Sequence, residues 1–289
     1  MPGKTAFLFP GQGTVPEVLP PSSPLVDRLL AQAAAAGIDL KELIQDRQRI
    51  ALTEFAQPAI LIDSLAKDQA LRAAGFAPDV VAGHSLGEYA ALASSGVISP
   101  ADALSVVIAR GRLMGHVPGA MAAILKLDRE EVEEVCAATG TSVANYNAPG
   151  QIVISGEAAA IEAAMRLAKE RGGRAVRLNV SGPFHSPAMA PAQAGLAPRI
   201  EALEFRRPQV PVISGVSGKA ETDPARLKEL LLTQITACVR WEEAVNAMVG
   251  LGVRTAIEVG PGEVLTRIGR RITDRIEFLD YEEVSRGRA

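Results

Sequence analysis

Ser85 stands between Gly83 and Gly87 in Val80-Val81-Ala82-Gly83-His84-Ser85-Leu86-Gly87-Glu88-Tyr89, where an apolar run, 79–82, gives way to a helix-like one, 86–93. A serine on so tight a strand-to-helix turn is pushed off the sheet edge into reach of a substrate. Glycines two before and two after it relieve the crowding of strand against helix. The chemistry this suits is nucleophilic attack, and the next backbone N–H, that of Leu86, falls at a helix start, where donors without intrahelical partners favour a developing oxyanion. The five-residue pattern also arises by chance in chains rich in glycine and serine, so the reading depends on what else can assist the hydroxyl.

A serine hydroxyl is a weak nucleophile at neutral pH and needs a general base. Three histidines are available. His84 adjoins Ser85, and neighbouring side chains leaving a strand diverge. His116 sits between Gly115 and Val117-Pro118, which suggests an exposed helix end. His185 lies in Ser181-Gly182-Pro183-Phe184-His185-Ser186-Pro187, stiffened by two prolines, and is the best-placed base; the plainer alternative is a structural histidine held by hydrogen bonds. Arg110 belongs to a helix capped by Ser99 and begun by Pro100. At about 100° per residue it falls among Ala103, Val106, Val107, Leu113 and Met114. A guanidinium inside an apolar arc calls for an anion, either a buried acid in a structural salt bridge, the commoner use, or a substrate carboxylate gripped by its fork.

The elements that must position these groups follow from four short apolar runs, residues 6–9, 80–82, 210–214 and 256–259, each ending in a glycine-bearing loop and separated by helix-period segments. This alternation predicts an α/β protein with a mostly parallel sheet covered on both faces, its ligands at the carboxyl ends of the strands. Between residues 119 and 180 the rhythm becomes strand (121–127), helix (129–138), hairpin (142–147 and 151–155), helix (157–171), strand (174–180). That βαββαβ order predicts a ferredoxin-like small domain, 119–180, inserted into a larger one formed by 1–118 and 181–289, with the site in the cleft between them.

Composition narrows the function classes. The 289 residues, 48% of them hydrophobic, can bury a sizeable core. No apolar run approaches the length of a membrane span, and Met1-Pro2-Gly3-Lys4-Thr5 leads straight into a strand, so the expectation is a cytoplasmic protein without membrane association. Two cysteines, Cys136 and Cys238, give neither a disulfide framework nor metal-ligand spacing. Cys136 reads as core and no metal site is expected. A net charge of −3 argues against nucleic-acid binding.

Taken together, Phe9-Pro10-Gly11-Gln12-Gly13, Gly83-His84-Ser85-Leu86-Gly87-Glu88, Arg110-Gly111, Gly182-Pro183-Phe184-His185-Ser186 and Glu258-Val259-Gly260-Pro261-Gly262 resemble the malonyl-CoA:acyl carrier protein transacylases of type II fatty acid synthesis. The likeness runs from about residue 6 to 272, and Ala144-Asn145-Tyr146-Asn147-Ala148-Pro149-Gly150-Gln151 is similar to the family's small-domain hairpin. The resemblance implies a hydrolase-like large domain with a ferredoxin-like inset. It implies Ser85 as the residue carrying the malonyl ester, His185 as its base, and the backbone N–H groups of Gln12 and Leu86 as the oxyanion hole. Arg110 becomes the grip on the malonyl carboxylate, and the backbone carbonyl of Gln234 the group that orients the histidine. Leu86 and Phe184 resemble the malonyl-selecting members. Donor and acceptor would be malonyl-CoA and acyl carrier protein, without metal or redox cofactor. Docking of that acidic carrier would use a local basic patch, Arg171 with Arg174 or Arg267 with Arg270 and Arg271. The chain departs from the family's usual pattern at Thr14-Val15-Pro16 and at Cys238, beside functional positions. A serine hydrolase, a transferase serving polyketide assembly and a catalytically silent carrier-binding scaffold are the rival readings.

Overall fold

Successive side chains of the first strand, β1 (Lys4–Phe9), go to opposite cores of the computed structural model. Phe7 and Phe9 enter one cluster with Ile60, Tyr89 and Val106, whereas Ala6 and Leu8 enter another with Trp241, Leu265 and Ile268. A strand buried on both faces lies inside a sheet covered by helices on both sides. The neighbours of β1 are β2 (Val80–Gly83) and β10 (Val253–Glu258), both parallel. Beyond them β7 (Val212–Ile213) and β11 (Glu277–Asp280) continue the parallel pairing, and β8 (Ala220–Glu221) adds an antiparallel edge. The order across the sheet is β11-β10-β1-β2-β7-β8.

A second sheet has the order β6-β3-β5-β4-β9, from β3 (Ala120–Leu125), β4 (Ser142–Ala148), β5 (Gln151–Gly156), β6 (Arg174–Arg177) and β9 (Val239–Arg240). Its pairings are antiparallel except β4 with β9. Ala120, Ala122, Ile124, Ile152 and Ile154 pack onto Val132 and Ile161, residues of the helices Arg129–Thr139 and Ala158–Glu170. The intervening residues Met121, Ala123 and Val153 point the other way and line a cleft. The period-2 alternation of this sheet thus divides it into a core face and a site face.

The structure describes residues 3–180 and 182–287. Met1, Pro2, Ser181, Arg288 and Ala289 lie outside them, as do the expected domain limits at residues 1, 181 and 289. The fold is mixed α/β with two sheets. Element boundaries differ from expectation mainly at strand ends: the run 210–214 contributes only Val212–Ile213, and the strand predicted over 174–180 ends at Arg177, although Leu178 still donates its N–H to the Met121 carbonyl at 2.9 Å. Prolines at 208 and 211 leave that first run little room to pair. No helix among the described residues is long and apolar enough to cross a membrane.

Candidate active site

The glycines of the turn after β2 are required by contact, not by composition. A Cβ on Gly83 would lie 2.1 Å from the Gly87 carbonyl carbon, and one on Gly87 would lie 1.9 Å from the Phe9 carbonyl oxygen. Helix Gly87–Ser94 therefore presses directly on strands β1 and β2, and the turn between takes Ser85 to φ 52°. A non-glycine residue in that region is costly and persists only where surrounding structure enforces it. His185 is held the same way, at φ 57°, with its N–H donated to the Ile235 carbonyl at 3.1 Å.

These two strained residues meet. Ser85 Oγ lies 2.7 Å from His185 Nε2. On the far side of the ring, Nδ1 lies 3.0 Å from the carbonyl oxygens of both Gln234 and Ala237. Both partners are acceptors, so Nδ1 carries the proton and Nε2 presents its lone pair to the serine hydroxyl, the tautomer a general base needs. Burial, the Arg110 charge and His84 pull the His185 imidazole down to about 3 from its usual 6.5, so it is uncharged at neutral pH. The partner that orients it is a pair of backbone carbonyls instead of a carboxylate.

Arg110 comes off helix Pro100–Gly115, whose N-cap Ser99 and leading Pro100 are as the sequence predicts, and its side chain is only 1% exposed. Nη1 donates to Gln57 Oε1 at 2.9 Å, and Nη2 to Ser85 Oγ and to Gln234 Oε1, each at 3.1 Å. Every one of these acceptors is neutral; among the described residues Nε has no hydrogen-bond partner, and the guanidinium carbon lies 5.6 Å from the centre of the Tyr89 ring. Among the described residues no carboxylate forms an ion pair with it, so the commoner of its two sequence readings, a structural salt bridge, is not realised. Burial acts to lower its pKa. The result is a positive charge held beside the nucleophile and left without a counter-ion in contact.

Ser85 and His185 open into a cavity of about 410 Å³ between the sheets, lined also by Gln12, Met121, Asn145 and Phe184. Gln12 is fixed from its side chain, Nε2 donating to Thr53 Oγ1 at 3.2 Å. Leu86 is the buried N-cap of helix Gly87–Ser94. His84 turns away from the serine: its Nε2 lies 2.9 Å from Asn147 Oδ1 and 3.2 Å from Asn145 Nδ2, and its ring meets Trp241 edge-on. His116 caps the exposed end of its helix, and Cys136 is buried. A larger hollow of about 790 Å³, behind residues 14–23, shares Thr14 and Val15 with this cavity and holds neither Ser85 nor His185.

Sequence reasoning missed further contributors. Gln57 carried a signal, since it is polar in an otherwise apolar helical stretch, as Arg110 is. Ala237 carried none, because a backbone acceptor is independent of residue type.

The chain is similar to known proteins over nearly its whole length. A family model described as acyl transferase domain matches residues 25–285. The chain is 42% identical to the malonyl CoA-acyl carrier protein transacylase of Bacillus subtilis, over 96% of this chain and 92% of that one. An acyl carrier protein S-malonyltransferase from Vibrio cholerae superposes with a TM-score of 0.89 at 41% identity, covering 96% of each chain. A malonyl-transacylase solved in complex with a holo type II PKS acyl carrier protein does so with a TM-score of 0.86 at 35% identity, covering 96% of this chain and 94% of that one.

Proposed function

The chain belongs to the acyl transferase domain family, and from that premise we propose that it transfers the malonyl group of malonyl-CoA to the phosphopantetheine thiol of acyl carrier protein, supplying fatty acid synthesis in the cytoplasm. Ser85 Oγ attacks the thioester carbonyl while its proton passes to His185 Nε2. Coenzyme A leaves as the thiol with that proton, and malonyl remains as an ester on Ser85. The carrier's thiol then gives its proton to His185 and attacks the ester carbonyl, and Ser85 leaves as its hydroxyl, taking that proton back from His185. The N–H groups of Gln12 and Leu86 stabilise the oxyanion in both halves, each by roughly 3 to 4 kcal/mol if they act as in other serine enzymes.

The observation that carries this reading is Arg110: a buried guanidinium, 3.1 Å from the nucleophile, whose partners are all uncharged. A hydrolase of neutral esters has no use for it, whereas a malonyl carboxylate completes it. Phe184, 7% exposed, lines the same cavity as Ser85 and His185. Intact-protein mass spectrometry tests the reading, with malonyl-CoA or acetyl-CoA added first and holo carrier protein second. Malonyl should load and then leave with the carrier; loss of the ester to water at the same rate without carrier favours the hydrolase instead. Arg110→Ala should lower malonyl loading by at least about a hundredfold, the scale of breaking one half of a buried charge pair. Acetyl loading should fall far less, and equal losses would mark the arginine as structural.

We further infer that residues 1–118 and 181–289 form a hydrolase-like large domain and 119–180 a ferredoxin-like insert. Support for the first is the elbow that follows an inner parallel strand; for the second it is the spatial order β6-β3-β5-β4. β9 reaches the insert's edge from the large domain.

For carrier docking, register merges the two arginine clusters. Leu125 pairs with Gln151 on one side and with Arg174 on the other, and Gln151 Oε1 accepts from Arg271 Nη1 at 2.7 Å. Arg171, Arg267 and Arg270 each face a glutamate, which leaves Arg174 and Arg271 as the two cluster charges without a carboxylate partner among the described residues. Reversing both, Arg174→Glu with Arg271→Glu, should raise KM for carrier protein and flatten its salt dependence, since exposed charges act over about 8 Å at physiological salt. Loading from malonyl-CoA should stay unchanged. Carrier kinetics and salt dependence equal to the parent's would remove this face from consideration.

A further inference from the structure

Of the buried acids that the steps above leave unused, Glu88 is the one bonded to a residue of the site. Glu88 follows the elbow in the first turn of helix Gly87–Ser94, is 2% exposed, and does not line the cavity. It makes no ion pair with Arg110. The carboxamide of Gln234 stands between them: Nε2 donates to Glu88 Oε2 at 2.7 Å and to the Ser85 carbonyl at 2.9 Å, while Oε1 accepts from Arg110 Nη2 at 3.1 Å. The amide nitrogen thus faces only acceptors and its oxygen faces a donor. Turned over, it would set its NH₂ against the guanidinium and its oxygen against the carboxylate, two repulsive contacts in a dry site. Gln234 also supplies, from its main chain, one of the carbonyls at His185 Nδ1.

We propose that Glu88 is a positioning residue for acyl selection, locking the Gln234 amide so that its oxygen meets Arg110 and the counter-charge stays one side chain away from the guanidinium. The proposal rests on the malonyl-transfer reading. The physical case is a conflict between two needs. A guanidinium with no acid nearby is strongly disfavoured by burial, yet one in direct contact with a carboxylate has no room on its fork for a substrate's. An amide spacer meets both needs: the charges still attract through a medium of low dielectric, and the directional hydrogen bonds that would compete with malonyl are absent. Burial pushes the Glu88 carboxyl up, and the Gln234 amide, the Ser214 hydroxyl, the Arg110 charge and the Gly215 N–H oppose that rise. Gln234 Nε2 needs an acceptor at the position of Glu88 Oε2, 2.7 Å away, which either oxygen of a carboxylate supplies and only one terminal atom of a glutamine would.

Glu88→Gln keeps the size of the side chain and removes its charge and one acceptor. Active sites are counted by the malonyl-enzyme formed at saturation, and loading is then timed with malonyl-CoA and with acetyl-CoA. Per active site, malonyl kcat/KM should drop roughly tenfold or more, the scale of a hydrogen bond to a charged group, chiefly through KM, with acetyl loading within about twofold of the parent. The malonyl-to-acetyl ratio therefore narrows. Glu88→Asp, which retains the charge, should lie between the two. A merely structural glutamate gives fewer active sites or equal losses for both acyl groups, and an unchanged ratio overturns the proposal. Where Glu88→Gln does not fold, Gln234→Met carries the test, because it removes the bridge and keeps the main-chain carbonyl on His185; an unchanged ratio there also overturns it. If the parent protein takes up no malonyl at all, the transferase reading itself fails. A loading parent with variants of unaltered ratio removes only the role of Glu88.

Discussion

Ser85→Ala should form no malonyl-enzyme at any concentration of malonyl-CoA, and its thermal unfolding should stay close to the parent's. Among the described residues that line the cavity there is no other serine and no cysteine, and His185 Nε2 faces the position of Oγ at 2.7 Å. The modest effect on stability follows from the backbone. Serine and alanine are similarly disfavoured at φ 52°, so the strain at the elbow is unchanged by the substitution. What is lost is one acceptor for Arg110 Nη2, which keeps Gln234 Oε1 as its partner. Intact mass after mixing with malonyl-CoA decides the matter, since a malonyl adduct on the variant would place the nucleophile elsewhere.

The parts of this site that can be read from the chain are those whose residue type is unusual for its surroundings. Ser85 is marked by its glycines, which the packing of helix Gly87–Ser94 on β1 makes obligatory. His185 is marked by scarcity, because the other two histidines have visible reasons to be elsewhere. Arg110 is marked by a charge inside an apolar arc, although the arc alone does not say which anion it awaits; that needed the neutrality of Gln57, Gln234 and Ser85 as its partners. The two layers of the fold follow from alternation, which separates Phe7 and Phe9 from Ala6 and Leu8 and sorts the residues of the smaller sheet between its core and the cleft.

What escapes the chain is what depends on distant backbone. β9 spans two residues, Val239–Arg240, too few for any periodicity, yet it ties the smaller sheet to the segment that follows the orienting carbonyls. Cys238, a departure from the family's pattern, lies one residue before that strand and one after Ala237, the second carbonyl at His185 Nδ1. Its thiol is pushed up to about 12, chiefly by burial, and so is no rival nucleophile. The part played by the Gln234 side chain was equally hidden, because a glutamine near a helix end has no periodic or charge signature until Arg110 and Glu88 are seen on either side of it.

His185→Ala should slow malonyl loading by about 10²- to 10⁴-fold, the usual worth of a general base, while Ser85 still loads slowly and fully. The parent's pH profile distinguishes this role from a structural one. An ordinary histidine is half protonated at 6.5, and a base of that kind loses half its rate there. With burial, Arg110 and His84 holding the imidazole at about 3, the free base persists on acidification. Loading in the parent should therefore stay level from neutrality down to about pH 5. Stability runs against it: the unfolded chain takes up the proton near 6.5 and the folded one only near 3, so the neutral imidazole's contribution is complete above 6.5 and is lost as pH falls towards 3. Rates must accordingly be read in a single turnover after a rapid drop in pH, before unfolding intervenes. Arg110→Ala removes one of the charges that depress the imidazole, so in that variant the acid limb should move to higher pH. A limb already present near 6.5 in the parent, or one that does not move when Arg110 is removed, would show that burial and Arg110 do not depress the base that serves Ser85.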